Sequence, residues 1–242
     1  MKNIKIKDRK DQHSVSLFNG LLHENKPLSG EPLYSNLIYW AHVEAPGDGE
    51  FPMHPHKGIE ILTFIFEGSL EHFDTASNKW TPLLEGGVQH IQAGSGLQHS
   101  EKYRKGSRAF QIWLDPDFNK ALFKRPFYKD YQADSFSWEI KGELQKLVYV
   151  GEEGPIKTDA QGIQAIRYKL ASNQHAIELS RDKTYSIYIL NGKVNLEGAT
   201  MIKDSFTKVS NLEMLHLDVE ESADIFVLES PTVINYRRVF DQ

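Results

Sequence analysis

Two short stretches carry residue types that can hold a metal ion. His54-Pro55-His56 and His99-Ser100-Glu101 each place two potential ligands one residue apart. In an extended chain residues i and i+2 point to the same face, so each triplet offers its pair side by side, roughly 6–7 Å apart at the backbone. Two such pairs on facing strands of a small barrel would converge on one ion. The set would be three imidazoles, His54, His56 and His99, and one carboxylate, Glu101, around a first-row metal, with room left for water or substrate. A lone His-x-His is a weak signal, because a pair of solvated strand histidines reads the same way. The second pair strengthens it.

The elements that must position these pairs are legible around them. Residues 59–66 form a strand-like apolar run ended by Glu67-Gly68. Gly86-Gly87 and Gly94-Ser95-Gly96 are tight-turn signals just before the second pair. Residues 37–43, 80–84 and 88–93 read as further strands, and 58–66 with 69–74 as a hairpin turning at Glu67-Gly68. Glu60 has the parity of His54 and His56, which leaves it as a fourth ligand, an outer acceptor behind a ligand histidine or a buried carboxylate paired elsewhere, the outer acceptor being the favoured role. Strand 109–114 puts Gln111 and Trp113 on one face, where they either line a pocket or pack in the core. His42 reads as a packed strand histidine. His72 and His90 are read as strand residues lacking a ligand partner two positions on, and are set aside.

Composition bounds the rest. The chain has 242 residues, 40% hydrophobic and 25% charged, with a net charge of −5. Such a balance belongs to a globular protein and lacks the basic footprint of a nucleic-acid binder. The mixed cluster at residues 2–10 reads as a solvated end. There is no cysteine, so disulfides and thiolate metal sites are excluded and any metal must use N and O ligands. No apolar run approaches a membrane span and the first residues lack an apolar h-region, so a soluble, cytoplasmic protein is expected.

Residues 115–138 are aromatic and irregular and read as an inter-domain connection, with one short helix near 119–123. A second series of short strands follows from 146, including 163–170, 185–191, 193–196, 212–218 and 223–228. Asn191-Gly192 between two of them signals a hairpin. Many short strands at regular spacing mean a second barrel or sandwich. The expected organisation is all-β, with an N-terminal metal-bearing domain at 1–140 and a C-terminal domain at 141–242. The latter holds only His175 and His216 and no paired ligands. Residues 231–242 read as a charged tail across one surface.

Three segments then resemble the pirin family, two-barrel members of the cupin superfamily. They are His54-Pro55-His56-Lys57-Gly58-Ile59-Glu60, Glu67-Gly68-Ser69-Leu70-Glu71-His72-Phe73-Asp74, and the stretch from Gly87-Val88-Gln89 to Ala93-Gly94-Ser95-Gly96-Leu97-Gln98-His99-Ser100-Glu101. Gln111-Ile112-Trp113-Leu114 is similar to the strand that follows in pirins. The detailed likeness covers residues 35–130. It implies two cupin barrels and one divalent transition metal per chain, held by His54, His56, His99 and Glu101. Iron(II) is the metal it points to first, with nickel, manganese, copper, cobalt or zinc as alternatives. It also implies a quercetin 2,3-dioxygenase type of activity, in which Glu101 takes the flavonol 3-hydroxyl proton and O2 opens the ring with loss of carbon monoxide. The partner would be a small planar aromatic substrate, with no nucleic acid or membrane involved. Other pirins are regulators, so an iron-dependent module that binds a protein partner is the competing expectation; a metal-assisted isomerase is a third. Lys57 stands where pirins often have Arg, and His90-Ile91 where Trp-Met is common. Neither touches a ligand position.

Overall fold

A computed structural model describes residues 4–239; Lys2 of the basic cluster and the last three residues of the tail lie outside them. The chain forms two compact units. One is Met1–Gln12 with Phe136–Ile234, the other His13–Ser135 with Asn235–Gln242. They run close to the 1–140 and 141–242 halves of the sequence, with the two chain ends exchanged.

The first strand, β1 (Ile6–Lys7), belongs to the unit built from the C-terminal half. The N-terminal half supplies β2 (His13–Leu17), β3 (Leu22–Lys26), β4 (Leu37–Glu44), β5 (Gly49–His56), β6 (Glu60–Glu67), β7 (Ser69–Asp74) and β8 (Trp80–Leu84). It continues with β9 (Val88–Gln92), β10 (Leu97–Tyr103), β11 (Arg108–Leu114), helix α1 (Phe118–Ala121) and β12 (Phe127–Tyr131). These make two antiparallel sheets. One runs β5-β10-β7-β8; the other runs β12-β9-β6-β11-β4-β3-β2. Side chains from both sheets fill the interior: Leu70, Leu83 and Tyr103 of the first pack with Ala41, Val43, Ile65 and Ala109 of the second.

Three expectations change here. Glu67-Gly68 does not close a hairpin. β6 and β7 lie in different sheets, and Gly68 is the corner between them. Its φ of +76° and the Ser107 Oγ that a Cβ would meet at 2.6 Å explain the glycine. Residues 115–138 are more than a connection, because β12 pairs with β9 along its whole length and extends the barrel sheet. The third concerns the cluster at residues 2–10. Lys5 and Asp8 bond Thr207 and Ser205, and Arg9 pairs with Asp204 at 3.2 Å, so this basic end is anchored rather than merely solvated. The short helix is present, and the tail does pack on a surface: Val239 N–H donates to Asp115 Oδ2 at 2.7 Å and Arg238 donates to the Leu33 carbonyl at 2.9 Å.

The other unit is built from β13 (Trp138–Lys141), β14 (Leu144–Val150), β15 (Gln164–Glu178), β16 (Lys183–Leu196), β17 (Ala199–Ile202), β18 (Phe206–Ser210) and β19 (Met214–Pro231). The order is β1-β18-β16-β19-β15-β14-β13, with β17 on β16. Asn191-Gly192 is not a hairpin. It is a bulge inside the continuous β16, where the register with β19 slips between Ile189 and Asn191 and again between Gly192 and Val194. β16 thus bends as β6 and β7 do around Gly68. The long strands β15, β16 and β19 repeat, in order and pairing, what β4–β5, β6–β7 and β10–β11 do in pieces. Among the described residues no helix is long and apolar enough to cross a membrane.

Candidate metal centre

β5 and β10 are antiparallel neighbours, and His54 sits directly opposite His99. His56 is two residues along on the same face. One ring nitrogen from each of His54, His56 and His99 therefore lies within 4.8 Å of the others. Ring centroids are 4.3 Å apart for His54–His99, 4.8 Å for His56–His99 and 4.9 Å for His54–His56.

The hydrogen bonds at the far side of the rings decide which nitrogens are available. His54 Nδ1 donates to the Pro52 carbonyl at 2.8 Å. His99 Nδ1 lies 3.1 Å from His72 Nε2. With protons on both Nδ1 atoms, both Nε2 atoms keep a lone pair for a metal. His56 Nε2 and His99 Nε2 are buried without any hydrogen-bond partner. Two orphaned buried nitrogens would cost about 1–3 kcal/mol each, and a cation shared with His54 removes that cost. The donor set fits a divalent ion, since it is neutral imidazole nitrogen with no sulfur. Burial, reinforced by the neighbouring His54, pushes His56 down to about 4. Burial and the surrounding His54, His56 and His72 push His99 down to about 2. Both rings are thus neutral and ready as ligands near pH 7.

Glu101 follows His99 on the same strand face, fully buried. It stands apart from the close histidine group, and both its oxygens accept from Gln111 Nε2 at 2.9 Å. Trp113 Nε1 donates to Gln111 Oε1 at 3.0 Å, which fixes the amide with its NH2 toward Glu101. Gln111 and Trp113 thus share a face, as β11 alternation requires, and orient the carboxylate. Burial raises Glu101 to about 7, against the lowering effect of the Gln111 bond. A cation alongside would draw it back down. Trp113 also lies edge-on to His56 at 4.9 Å and against Tyr39 at 4.5 Å, giving the site an aromatic wall.

Glu60 does not join the site. It holds His90 Nε2 at 3.1 Å and Gln92 Nε2 at 2.7 Å. Ile61 packs with Leu97 and Trp113, so Glu60, one residue earlier on β6, faces the other way. The expected match of parity with His54 failed because β5 and β6 lie in different sheets.

The outer acceptor is instead His72, buried on β7 opposite Glu101. Its Nδ1 is 3.7 Å from Asp74 Oδ2, too long for a hydrogen bond but close enough for electrostatic support. Tyr128 of β12 stacks on its other side at 4.6 Å. His72-Phe73-Asp74 is itself an i, i+2 pair of ligand types, and that signal was present in the sequence.

Comparison with known proteins agrees with this geometry. The pirin family profile matches residues 21–114. A putative quercetin 2,3-dioxygenase of Zymomonas mobilis is 31% identical over 190 residues, covering 76% of this chain and 77% of that protein. The chain belongs to the pirin family. A quercetin 2,3-dioxygenase of Escherichia coli K12 is 26% identical over 196 residues, covering 79% of this pirin and 80% of its relative. The solved structure of the bacterial pirin YhhW of Escherichia coli in complex with nickel(II) superposes with a TM-score of 0.79. It is 20% identical and covers 95% of this chain and 100% of that one. The fold is all-β, with two cupin barrels.

Proposed function

We propose that this pirin is a metal-dependent dioxygenase of the quercetin 2,3-dioxygenase type, with Fe(II) held by His54, His56, His99 and Glu101. The observation that carries the metal is the convergence of three imidazoles with two orphaned buried nitrogens. The oxidative activity rests on the relatives named for it. When bound, the ion would supply Lewis acidity and a template for an enolate oxygen and dioxygen.

The remaining work falls to the chain. Glu101, the one carboxylate of the set, is the group placed to accept the substrate's hydroxyl proton. Gln111 fixes its orientation from behind, and Trp113 fixes Gln111. The wall of Trp113, Tyr39 and His56 offers π faces to a planar aromatic substrate. His72 holds the His99 tautomer. The overall reaction is opening of a flavonol ring by O2 with release of carbon monoxide.

Oxygen uptake with quercetin, corrected for metal content, tests the reading. Glu101→Gln keeps an oxygen beside the histidines but removes the basic group. It should keep part of the metal and lose about 10²–10⁴-fold in turnover, with Glu101→Asp between the two. Wild-type protein that binds iron tightly yet consumes no oxygen would defeat the enzyme reading. Normal turnover per metal in Glu101→Gln would defeat the role given to Glu101.

A further inference from the structure

The C-terminal barrel contains a cavity of about 250 Å³ in the place that the histidine cluster takes in the N-terminal barrel. The strand registers fix this equivalence. His54 on β5 is the partner of His99 on β10. In the repeated arrangement, Ile177 on β15 is the partner of Leu215 on β19. Leu179 follows Ile177 by two residues as His56 follows His54, and its N–H donates to the Glu213 carbonyl at 2.9 Å. Leu217 takes the position of Glu101. Every ligand position of the metal centre is therefore aliphatic here, yet the space beside them is not filled. Ile177, Leu179 and Leu215 line the cavity together with Tyr168.

Tyr168 is 7% exposed, and its hydroxyl has no hydrogen-bond partner among the described residues. The phenol belongs to the cavity wall, where its oxygen can accept a hydrogen bond. Burial raises its pKa, followed by the charges of Glu229 and neighbouring Tyr185, so it stays protonated. Four glutamates line the cavity against one lysine, Lys146. Glu229 is held by Gln164 Nε2 at 3.2 Å and Lys183 Nζ at 3.3 Å, and Glu153 by Lys146 at 2.7 Å. The carboxylates of Glu152 and Glu178 have no cation partner among the described residues. The lining thus combines an aliphatic part, a hydroxyl with no partner among the described residues, and surplus negative charge on the exposed Glu152 and Glu178.

We propose that this cavity is a second, metal-free ligand site that takes a small organic cation, an amine carried on an apolar body. The aliphatic side chains receive the body, the Tyr168 oxygen accepts from the ammonium group, and the surplus carboxylates supply the charge complement. The volume lies below the ~300–1,000 Å³ of pockets for drug-sized molecules, so the ligand is small. The proposal does not rest on the dioxygenase reading, and its readout is confined to the C-terminal barrel.

The test is a methyl-resolved NMR titration of the full metal-loaded chain with 2-phenylethylamine, alongside phenylacetate as the anion of similar shape. Saturable shifts are expected at Ile177, Leu179 and Leu215, with the amine bound at least about tenfold more tightly than the anion. Leu215→Trp fills the cavity and should abolish the shifts. If that variant does not fold, exposed Glu178→Gln serves instead and should narrow the preference for the amine. The site is refuted if these methyls do not move at millimolar amine, if only resonances around His54, His56 and His99 respond, or if the anion binds as tightly.

Discussion

His72 and His99 illustrate how much of a metal centre lies behind its ligands. His99 can offer Nε2 only while its proton sits on Nδ1, and His72 Nε2 is the acceptor that keeps it there. Replacing His72 by Phe preserves the stacking partner of Tyr128 but removes that acceptor. Metal affinity should fall about 10–100-fold, measured by competition with a chelator, while saturating metal still restores one ion per chain. Unchanged affinity would mean that His72 only packs. The same burial makes the metal-free protein acid-sensitive. His56 and His72 sit near 4 and His99 near 2 in the folded state, against about 6.5 when unfolded. Between these values the unfolded chain binds more protons, so stability falls as pH drops below about 6.5. Glu101, raised to about 7, opposes this in part: it holds its proton when folded and loses it when unfolded from about 4.5 upward. Three histidines outweigh one carboxylate, and the net slope stays positive from about 4.5 to 6.5. Thermal melts of metal-free protein should show Tm falling across that window, and His99→Leu should flatten the slope. A pH-independent Tm would contradict the burial of neutral histidines.

At the scale of elements, corners and bulges position the site, and these were the least legible features. Gly68 turns β6 out of one sheet into β7 of the other, which brings His72 and Asp74 alongside β10. Gly192 makes the equivalent bend within β16. Both positions were visible in the sequence as glycines after strand-like runs, but a glycine reports only the need for positive φ, and a hairpin, a corner and a bulge all have it. The Asn-Gly pair therefore signalled a real backbone requirement and the wrong element. That His54 shares a face with His56, and His99 with Glu101, was legible because the two-residue period of a strand survives any such bend. Glu60 was misplaced because its parity was counted across a change of sheet. A Cβ on Gly192 would stand 2.1 Å from the Ser222 carbonyl oxygen at a φ of +84°. Gly192→Ala should lower stability by about 1–3 kcal/mol or more, read as a lower urea midpoint. An unchanged midpoint would show that the bend does not depend on this residue.

The whole molecule repeats one barrel plan and, among the described residues, gathers a histidine cluster in only one copy. Where β5 and β10 carry His54, His56, His99 and Glu101, β15 carries Ile177 with Leu179 just beyond its end, and β19 carries Leu215 and Leu217. The two-barrel fold could be read from strand count and turn spacing together with the family resemblance. The exchange of chain ends could not, because pairing of two residues such as Ile6 and Lys7 with β18 leaves no period to detect. On the proposed function, the difference between the barrels predicts a single tight ion per chain. The most direct measurement is anomalous diffraction from crystals of iron-reconstituted protein. One peak is expected, bonded to ring nitrogens of His54, His56 and His99 at about 2.0–2.2 Å with Glu101 beside it. Iron bound elsewhere, or a second peak of equal height in the C-terminal barrel, would contradict it.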